Sequence, residues 1–374
     1  MGMVLDLKAR KANNNYGVRR HAKNFSKAYW SFLHPVIKAR LQPNSFRPVI
    51  AFLFTDLNCN LDCYYCYSRG KEIPGMTLEV AKKSVDLLRA KGCRVLAYMG
   101  GEPLLRKNFI IDLTRYAHER DFYIYLPTNG ILMDEAFVDE IGDAGVAAVN
   151  IAIDAVNGYE GLPKAFNRIK SQFEYLVKQA KRYEYNPFLN INITNRNLQD
   201  VKELSELAFN YGIAADYHIN EPPLIKYETY EHENEGAWIT ENEFQEVDAL
   251  IDWLSHKNLN GYTMVNSVNH LQAMKLYIRG QQPGWTCRAG QLSMVIRLDG
   301  SFARCFEFYE DTEDWGNIYD GPKFDRTRLT ARKQECNPHC LSTCNFQVSH
   351  YTQSILYGLQ WVAKHVYGSL FGIS

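Results

Sequence analysis

Six short apolar segments alternate with amphipathic helical patterns between residues 49 and 219, and this alternation constrains the fold more than any other feature. The first segment, VIAFLFT at 49–55, is almost wholly apolar, which is typical of a strand buried on both faces. The other predicted strands are 94–99, 122–127, 146–153, 188–194 and 214–219. Six βα units in succession indicate a parallel sheet, either open and doubly wound or curved into a barrel.

Two of the intervening helices have clear signals. Thr77 is placed to cap a helix over 77–91, and Gly92 is placed to end it. A second helix, over 164–181, has one apolar face. That face consists of Phe166, Ile169, Phe173, Leu176 and Ala180. Helices are also predicted over 241–257 and 351–371.

Three cysteines follow the first predicted strand in the stretch CNLDCYYC. Cys59, Cys63 and Cys66 have the spacing C-x3-C-x2-C. A structural zinc site is disfavoured because it needs four closed ligands, usually in C-x2-C pairs. Disulfides are disfavoured because no export signal is apparent, so a cytoplasmic protein is expected. Three thiolates suit a 4Fe–4S cluster that leaves one iron open to an outside ligand.

The cysteine loop resembles that of the radical S-adenosylmethionine (SAM) superfamily, and the resemblance extends over about residues 49–220. At the fourth strand the family often has Ser-x-Asp, whereas this chain has Ala152 in place of the serine. The other matching residues are Tyr65 before the third cysteine, the GGEP turn of Gly100, Gly101, Glu102 and Pro103, the TNG turn of Thr128, Asn129 and Gly130, and Asp154.

The resemblance implies a fold and a chemistry. The fold is α/β, a partial (βα)6 TIM-like barrel, with the chemistry at the C-terminal ends of the strands. The open iron of the 4Fe–4S cluster would bind SAM, and an electron from a donor such as flavodoxin or ferredoxin would cleave it to a 5′-deoxyadenosyl radical. Tyr65 is expected beside the adenine and Glu102 beside the cofactor ammonium. His218 and Glu221, at the end of the sixth predicted strand, are the candidate catalytic residues.

A second group of five cysteines lies near the C-terminus. The Gly-x4-Cys ending at Cys305 resembles the SPASM/Twitch extension of the same superfamily. The resemblance implies one auxiliary 4Fe–4S cluster held by four of the five thiolates, and a zinc site is the alternative. The five are Cys287, Cys305, Cys336, Cys340 and Cys344.

These patterns predict the organisation and the function of the chain. Its predicted parts are a basic arm (1–47), the barrel core (48–225), a linking helical region (226–284), a small auxiliary-cluster module (285–345) and a C-terminal helix (346–374). We expect an oxidative or rearranging radical enzyme for a small molecule or lipid. A ribosomal-peptide maturase, an iron–sulfur electron carrier and a zinc-stabilised scaffold are the alternatives. A formal net charge of zero argues against a nucleic-acid partner.

The basic arm carries ten Lys or Arg residues and one acid, Asp6. Aromatic and aliphatic side chains, among them Trp30 and Phe32, lie between the charges. Three interpretations remain open: a solvated extension, a contact with an anionic membrane, and a clamp for an acidic or phosphorylated substrate.

We expect residues 1–47 to bring the protein to anionic vesicles. Each basic group near an anionic leaflet contributes about 1 kcal/mol, and salt screens the attraction. Co-sedimentation should require anionic lipid, decrease with salt, and disappear for a truncated protein that begins at Asn44. If the full chain does not bind anionic vesicles at low salt, the membrane interpretation is wrong.

Overall fold

The computed structural model describes Ser31, residues 34–42, 44–66, Ser68, residues 73–221, Leu224 and residues 238–353. Most of the basic arm, the acidic loop 227–236 and the predicted helix beyond Gln353 therefore lie outside the described residues. The described end of the arm includes a helix, in which the Arg40 Nε donates to the Thr352 carbonyl oxygen over 2.9 Å. The Arg40 guanidinium, one of the basic groups of the arm, is therefore bonded to another part of the same protein.

The elements alternate along the chain as predicted, and their bounds differ from the predicted ones by one or two residues at most ends. The strands are β1 (Ile50–Asp56), β2 (Val95–Gly100), β3 (Tyr123–Thr128), β4 (Ala148–Ala152), β5 (Asn186–Ile193), β6 (Ala214–Ile219), β7 (Ser293–Ile296), β8 (Phe302–Ala303), β9 (Gly316–Asn317) and β10 (Gly321–Pro322). The helices are α1 (His34–Leu41), α2 (Leu78–Ala90), α3 (Lys107–His118), α4 (Glu135–Asp143), α5 (Phe166–Tyr183), α6 (Leu198–Tyr211), α7 (Phe244–Leu259), α8 (Val268–Tyr277), α9 (Arg326–Cys336) and α10 (Thr343–Gln353).

The main sheet has eight strands in the order β6-β5-β4-β3-β2-β1-β7-β8. Strands β1 to β6 pair in parallel with their neighbours in the chain, because each helix returns the chain to the same end of the sheet. The outermost strands among the described residues are β6 and β8. The prediction of an α/β partial barrel is confirmed.

Two helices show how the sequence pattern places the core. The Thr77 hydroxyl accepts a hydrogen bond from the Val80 N–H and caps α2, as predicted. Gly92 follows the helix with φ +88°, a conformation that glycine adopts without strain. Helix α5 buries the five apolar residues of its predicted face against the sheet.

Strand β7 belongs to the main sheet. The sequence pattern placed it in a small separate module, whereas it pairs in parallel with β1, from Ile50 opposite Ser293 to Leu53 opposite Ile296. All four residues of β7 are buried, which is what a strand covered on both faces requires. The auxiliary cysteine region is therefore attached directly to the strand that precedes the first cysteine loop.

The helices among the described residues all fall short of the length and apolar character needed to cross a bilayer.

Candidate metal and cofactor site

The first cysteine loop leaves the sheet at the C-terminal end of β1. Cys63 is buried, and Cys59 and Cys66 are partly exposed. The Cys66 N–H donates to the Cys63 carbonyl oxygen over 3.0 Å, so the chain turns tightly between these two residues. The three thiols thus lie on one short loop at the end of the sheet where barrel chemistry takes place.

Asp56, which the sequence patterns did not single out, organises the start of this loop. Its side-chain oxygen Oδ1 accepts hydrogen bonds from the backbone N–H groups of Leu57 and Asn58, each over 2.8 Å. Arg106 lies beside it, with Nε 3.8 Å from Asp56 Oδ2 and Nη1 donating to the Thr55 carbonyl oxygen over 2.9 Å. The sequence feature that could have identified Asp56 is its position as the last residue of a buried strand.

The GGEP turn packs directly on the backbone of the cysteine loop. The N–H of Gly101 donates to the Asp56 carbonyl oxygen over 3.0 Å, and that of Glu102 donates to the Asn58 carbonyl oxygen over 2.8 Å. A Cβ added to Gly100 would lie 1.7 Å from the Asp56 oxygen, and one added to Gly101 would lie 1.9 Å from the Asn58 oxygen. The two glycines therefore bring the two loops into contact, a role that the motif by itself did not reveal.

Glu102 is 2% exposed and is held by three donors. Oε1 accepts from the Leu104 N–H over 3.0 Å and from the Thr128 hydroxyl over 2.7 Å. Oε2 accepts from the Asn129 N–H over 2.8 Å. Burial raises the pKa of Glu102, and the three donors act in the opposite direction. A carboxylate oxygen can accept two hydrogen bonds, so Oε2 retains the capacity for a further donor.

The TNG turn is joined to both of these loops. Besides its bond to Glu102, the Thr128 hydroxyl accepts from the Gly130 N–H over 3.0 Å. The Asn129 Nδ2 donates over 2.8 Å to Oδ1 of Asn60, the residue that follows Cys59. The structure thus brings together the predicted residues Glu102, Thr128 and Asn129 and attaches them to the cysteine loop.

Tyr65 and Asp154 are bonded to each other, together with a lysine that the sequence motifs missed. The Tyr65 hydroxyl donates to Asp154 Oδ2 and accepts from Lys164 Nζ over 2.8 Å. Lys164 Nζ lies 3.8 Å from the same Asp154 oxygen. Asp154 Oδ1 accepts from the Asn192 N–H over 3.1 Å. Both residues were predicted to contact the cofactor, and the structure shows them bonded within the protein.

The thiols of the first loop have the chemistry of buried metal ligands. Burial raises the pKa of Cys63 to about 12, and the Lys164 ammonium opposes this shift most strongly among the neighbouring charges. Burial also raises the pKa of Cys59. Thiolates are the form that binds metal, so buried thiols of this kind need the positive charge of bound iron to lose their protons. The presence of three thiols on one short loop fits a 4Fe–4S cluster.

The second cysteine group is built from segments that hydrogen bonds tie together. The Trp285 Nε1–H donates to the Cys340 carbonyl oxygen over 2.8 Å, and the Cys287 N–H donates to Asn337 Oδ1 over 3.1 Å. The Lys333 ammonium donates to the Cys287 carbonyl oxygen over 3.0 Å. Burial is the largest cause of the raised thiol pKa throughout the group. These thiols are Cys287, Cys305, Cys336, Cys340 and Cys344.

Cys344 has partly different surroundings from the other four thiols. It is the second residue of α10 and packs against the apolar cluster of β1, β2 and β7, which includes Phe52, Phe54 and Val95. Besides burial, the charges that raise its pKa are the carboxylates of Glu307, Asp216 and Glu221. The Cys287 side chain, in contrast, contributes to the raised pKa of three other thiols. Those three are Cys305, Cys336 and Cys340.

The two predicted catalytic residues lie in different surroundings. His218, on β6, has Nε2 3.3 Å from Asp216 Oδ2. Glu221 accepts from the Thr343 N–H over 3.2 Å, and its carboxylate, that of Glu307 and the Cys340 thiol lie within 4.8 Å of one another. Burial raises the pKa of both carboxyl groups. Glu307 was not predicted, because nothing in its local sequence indicates that β6 ends beside it.

Comparison with known families supports this assignment of the first loop. The family model "Radical SAM superfamily" matches residues 57–235, which include the cysteine loop, GGEP, TNG and Asp154. Among curated proteins, an AdoMet-dependent heme synthase of Methanosarcina barkeri is 30% identical over 43% of this chain and 47% of its own length. A probable GTP 3′,8-cyclase of Archaeoglobus fulgidus is 36% identical over 26% of this chain and 33% of its own length. The matched part is thus less than half of either relative.

Solved structures share the fold at low sequence identity. Streptococcus suis SuiB bound to its precursor peptide SuiA has a TM-score of 0.59 and 13% identity over 88% of this chain and 76% of that one. The enzyme anSMEcpe with bound AdoMet and the Cp18Cys peptide has a TM-score of 0.56 and 18% identity over 87% of this chain and 99% of that one. The cysteine loop and the turns packed on it lie within residues 57–235, the part of the chain that resembles the radical SAM superfamily.

Proposed function

We propose that this protein is a radical SAM enzyme that removes a hydrogen atom from its substrate and uses an auxiliary 4Fe–4S cluster. The observation that carries the proposal is the set of three thiols on one loop, held against the GGEP and TNG turns at the C-terminal end of β1. When bound, the first cluster would supply the electron that cleaves SAM to a 5′-deoxyadenosyl radical. The rest of the proposal concerns what the residues of this chain do.

The first loop offers three cysteine ligands and not four, which favours a cluster with one open iron. All nine cysteines lie among the described residues, and all nine are free. Cys93, the other cysteine of the barrel core, is fully buried at the start of β2, and its thiol donates to the carbonyl oxygens of Val49 and Val95. The remaining five belong to the C-terminal group. A 4Fe–4S cluster held by these three thiolates would leave one iron open to the amino and carboxylate groups of SAM.

Glu102 is proposed to bind the ammonium of SAM. Its carboxylate is oriented by three donors, and Oε2 has room for one more. Thr128 and Asn129, which we had expected to touch SAM, act in this proposal by orienting Glu102 and the cysteine loop.

We further propose that Cys287, Cys305, Cys336 and Cys340 bind the auxiliary cluster and that Cys344 is the spare thiol. The support is that Cys287 contributes to the raised pKa of Cys305, Cys336 and Cys340, whereas Cys344 packs against an apolar cluster. Four thiolates close the coordination of a 4Fe–4S cluster, so this cluster would transfer electrons rather than bind substrate. His218 and Glu221 remain the proposed proton acceptors for a substrate radical.

A small molecule is the proposed substrate. Two relatives are named for heme synthesis and for cyclisation of GTP, and the SAM-binding half of the chain resembles theirs. The structural neighbours SuiB and anSMEcpe were solved with peptides, so a ribosomal peptide is the alternative that substrate assays should include. A lipid substrate and a peripheral membrane contact through residues 1–47 remain proposals that depend on the vesicle experiment. An electron carrier would contain iron but would not cleave SAM.

Replacing Cys59, Cys63 and Cys66 together by Ala should abolish 5′-deoxyadenosine formation from SAM after reduction by dithionite. The reason is that the triple variant has no thiolate to hold the first cluster. The measurement is chromatography of the nucleoside product from anaerobically reconstituted protein. Cys93→Ala is the control and should keep the activity. Product formation by the triple variant at the rate of the original protein would disprove the assignment.

Glu102→Gln should weaken SAM binding by more than about tenfold, because loss of one partner of a buried charged contact costs about 2–5 kcal/mol. Calorimetry on the reconstituted protein gives the affinity, and the iron content checks that the first cluster is retained. Thr128→Val is the control: it removes a donor to Glu102 but leaves the carboxylate, so its effect should be smaller. Equal losses in the two variants would mean that Glu102 acts only through the turn.

Changing Cys287 and Cys305 together to Ala should lower the iron content from about eight to about four atoms per chain. Cys344→Ala should leave it at about eight, because that thiol is not a ligand in our assignment. Iron analysis and the retained spectrum of the first cluster are the readouts. A loss of iron in Cys344→Ala equal to that in the double variant would show that Cys344 is a ligand, and zinc in the purified protein would favour the zinc site.

A further inference from the structure

Lys164 is a nearly buried cation inside the first site. Its side chain is 19% exposed and lies on the segment between β4 and α5. The ammonium donates to the Tyr65 hydroxyl, and its nitrogen lies 5.1 Å from the centre of the Tyr65 ring. The Lys164 carbonyl oxygen accepts from the N–H groups of Asp154 and Ala155, over 2.9 and 3.2 Å. Both the backbone and the head group of the lysine are therefore fixed.

The segment that carries Lys164 lies directly on the cysteine loop. The Tyr64 N–H, between Cys63 and Cys66, donates to the Gly161 carbonyl oxygen over 3.1 Å. Gly161 has φ +79°, and a Cβ there would come within 2.6 Å of the Tyr64 ring. Leu162 is fully buried against the same ring. These contacts hold the segment that carries the lysine against the cysteine loop.

We propose that Lys164 is a positioning charge that stabilises the reduced form of the cluster at Cys59, Cys63 and Cys66. The inference rests on the proposed function, since it requires a cluster at these thiols. Reduction by one electron adds one negative charge to the cluster. A fixed ammonium in a poorly hydrated site favours that extra charge much more than it would in water.

The lysine remains charged in this position. Burial acts to lower the pKa of Lys164, but Asp154 and the cysteine thiolates together raise it above its ordinary value. Asp154 cannot simply cancel the lysine, because its carboxylate also accepts from the Tyr65 hydroxyl and the Asn192 N–H. Tyr65 bonds to both charged groups and directly precedes Cys66 in the chain.

The proposal predicts shifts of opposite sign in two variants. Lys164→Met removes the cation and should lower the ratio of reduced to oxidised cluster at a fixed potential by at least about tenfold, a shift of about 59 mV for one electron. Asp154→Asn leaves the lysine unopposed and should increase that ratio. Lys164→Arg keeps the charge and should change the ratio by less than about threefold, since a guanidinium is also a permanent cation.

The measurement is a redox titration of the full-length reconstituted protein without SAM, followed by electron paramagnetic resonance. The signal of the first cluster is the one that changes when SAM is added afterwards. Arg196→Gln is the matched control: its guanidinium lies 5.1 Å from the centre of the Tyr64 ring, and its removal should have a smaller effect than Lys164→Met.

Each outcome decides the proposal. If the original protein assembles no cluster on the first loop, the proposed function fails. If the cluster assembles and Lys164→Met leaves the ratio unchanged, the role of Lys164 is overturned while the proposed function stands. If Lys164→Met loses its cluster, the other two variants decide. A higher ratio of reduced to oxidised cluster in Asp154→Asn, with little change of that ratio in Lys164→Arg, supports the proposal. An unchanged or lower ratio in Asp154→Asn overturns it.

Discussion

The contact between the GGEP turn and the backbone of Asp56 and Asn58 is the constraint on which the rest of the site depends. Two neighbouring loops meet with no side chain between them, and backbone N–H groups of the GGEP turn donate to carbonyl oxygens of the cysteine loop. A methyl group at either glycine would push the loops apart, because the atom it meets is a fixed carbonyl oxygen. The same contact places Glu102 at the start of the cysteine loop, so the three thiols and the buried carboxylate are positioned together.

Charge is distributed around the thiols in a definite pattern. Glu102 is fixed by the turn after β3, and Lys164, Tyr65 and Asp154 form a second group of bonded side chains. Each buried charge has hydrogen-bond partners, as it must, since an unpaired charge in this environment would cost several kcal/mol. SAM carries an ammonium, a carboxylate and a sulfonium, and the electron that cleaves it arrives at a cluster. In our proposals Glu102 binds the cofactor while Lys164 tunes the cluster.

The auxiliary cysteine region is part of the same construction. Strand β7 extends the sheet beside β1, and Glu221, just beyond β6, accepts from the first residue of α10. The C-terminal region therefore contacts the sheet both beside the strand that precedes the first cysteine loop and beyond the strand that carries His218.

The sequence by itself determined the succession of strands and helices, the helix faces and the grouping of the cysteines, because each depends on residues close together in the chain. GGEP and TNG likewise identified Glu102, Thr128 and Asn129, which the structure joins. Only the tertiary structure decided the partners of Tyr65, the pairing of β7, the position of Glu307 and the apolar neighbours of Cys344. The reason is distance along the chain: Tyr65 and Lys164 are 99 residues apart, and Glu221 and Thr343 are 122 apart. No local pattern encodes such contacts, since the crossovers of the sheet bring them together.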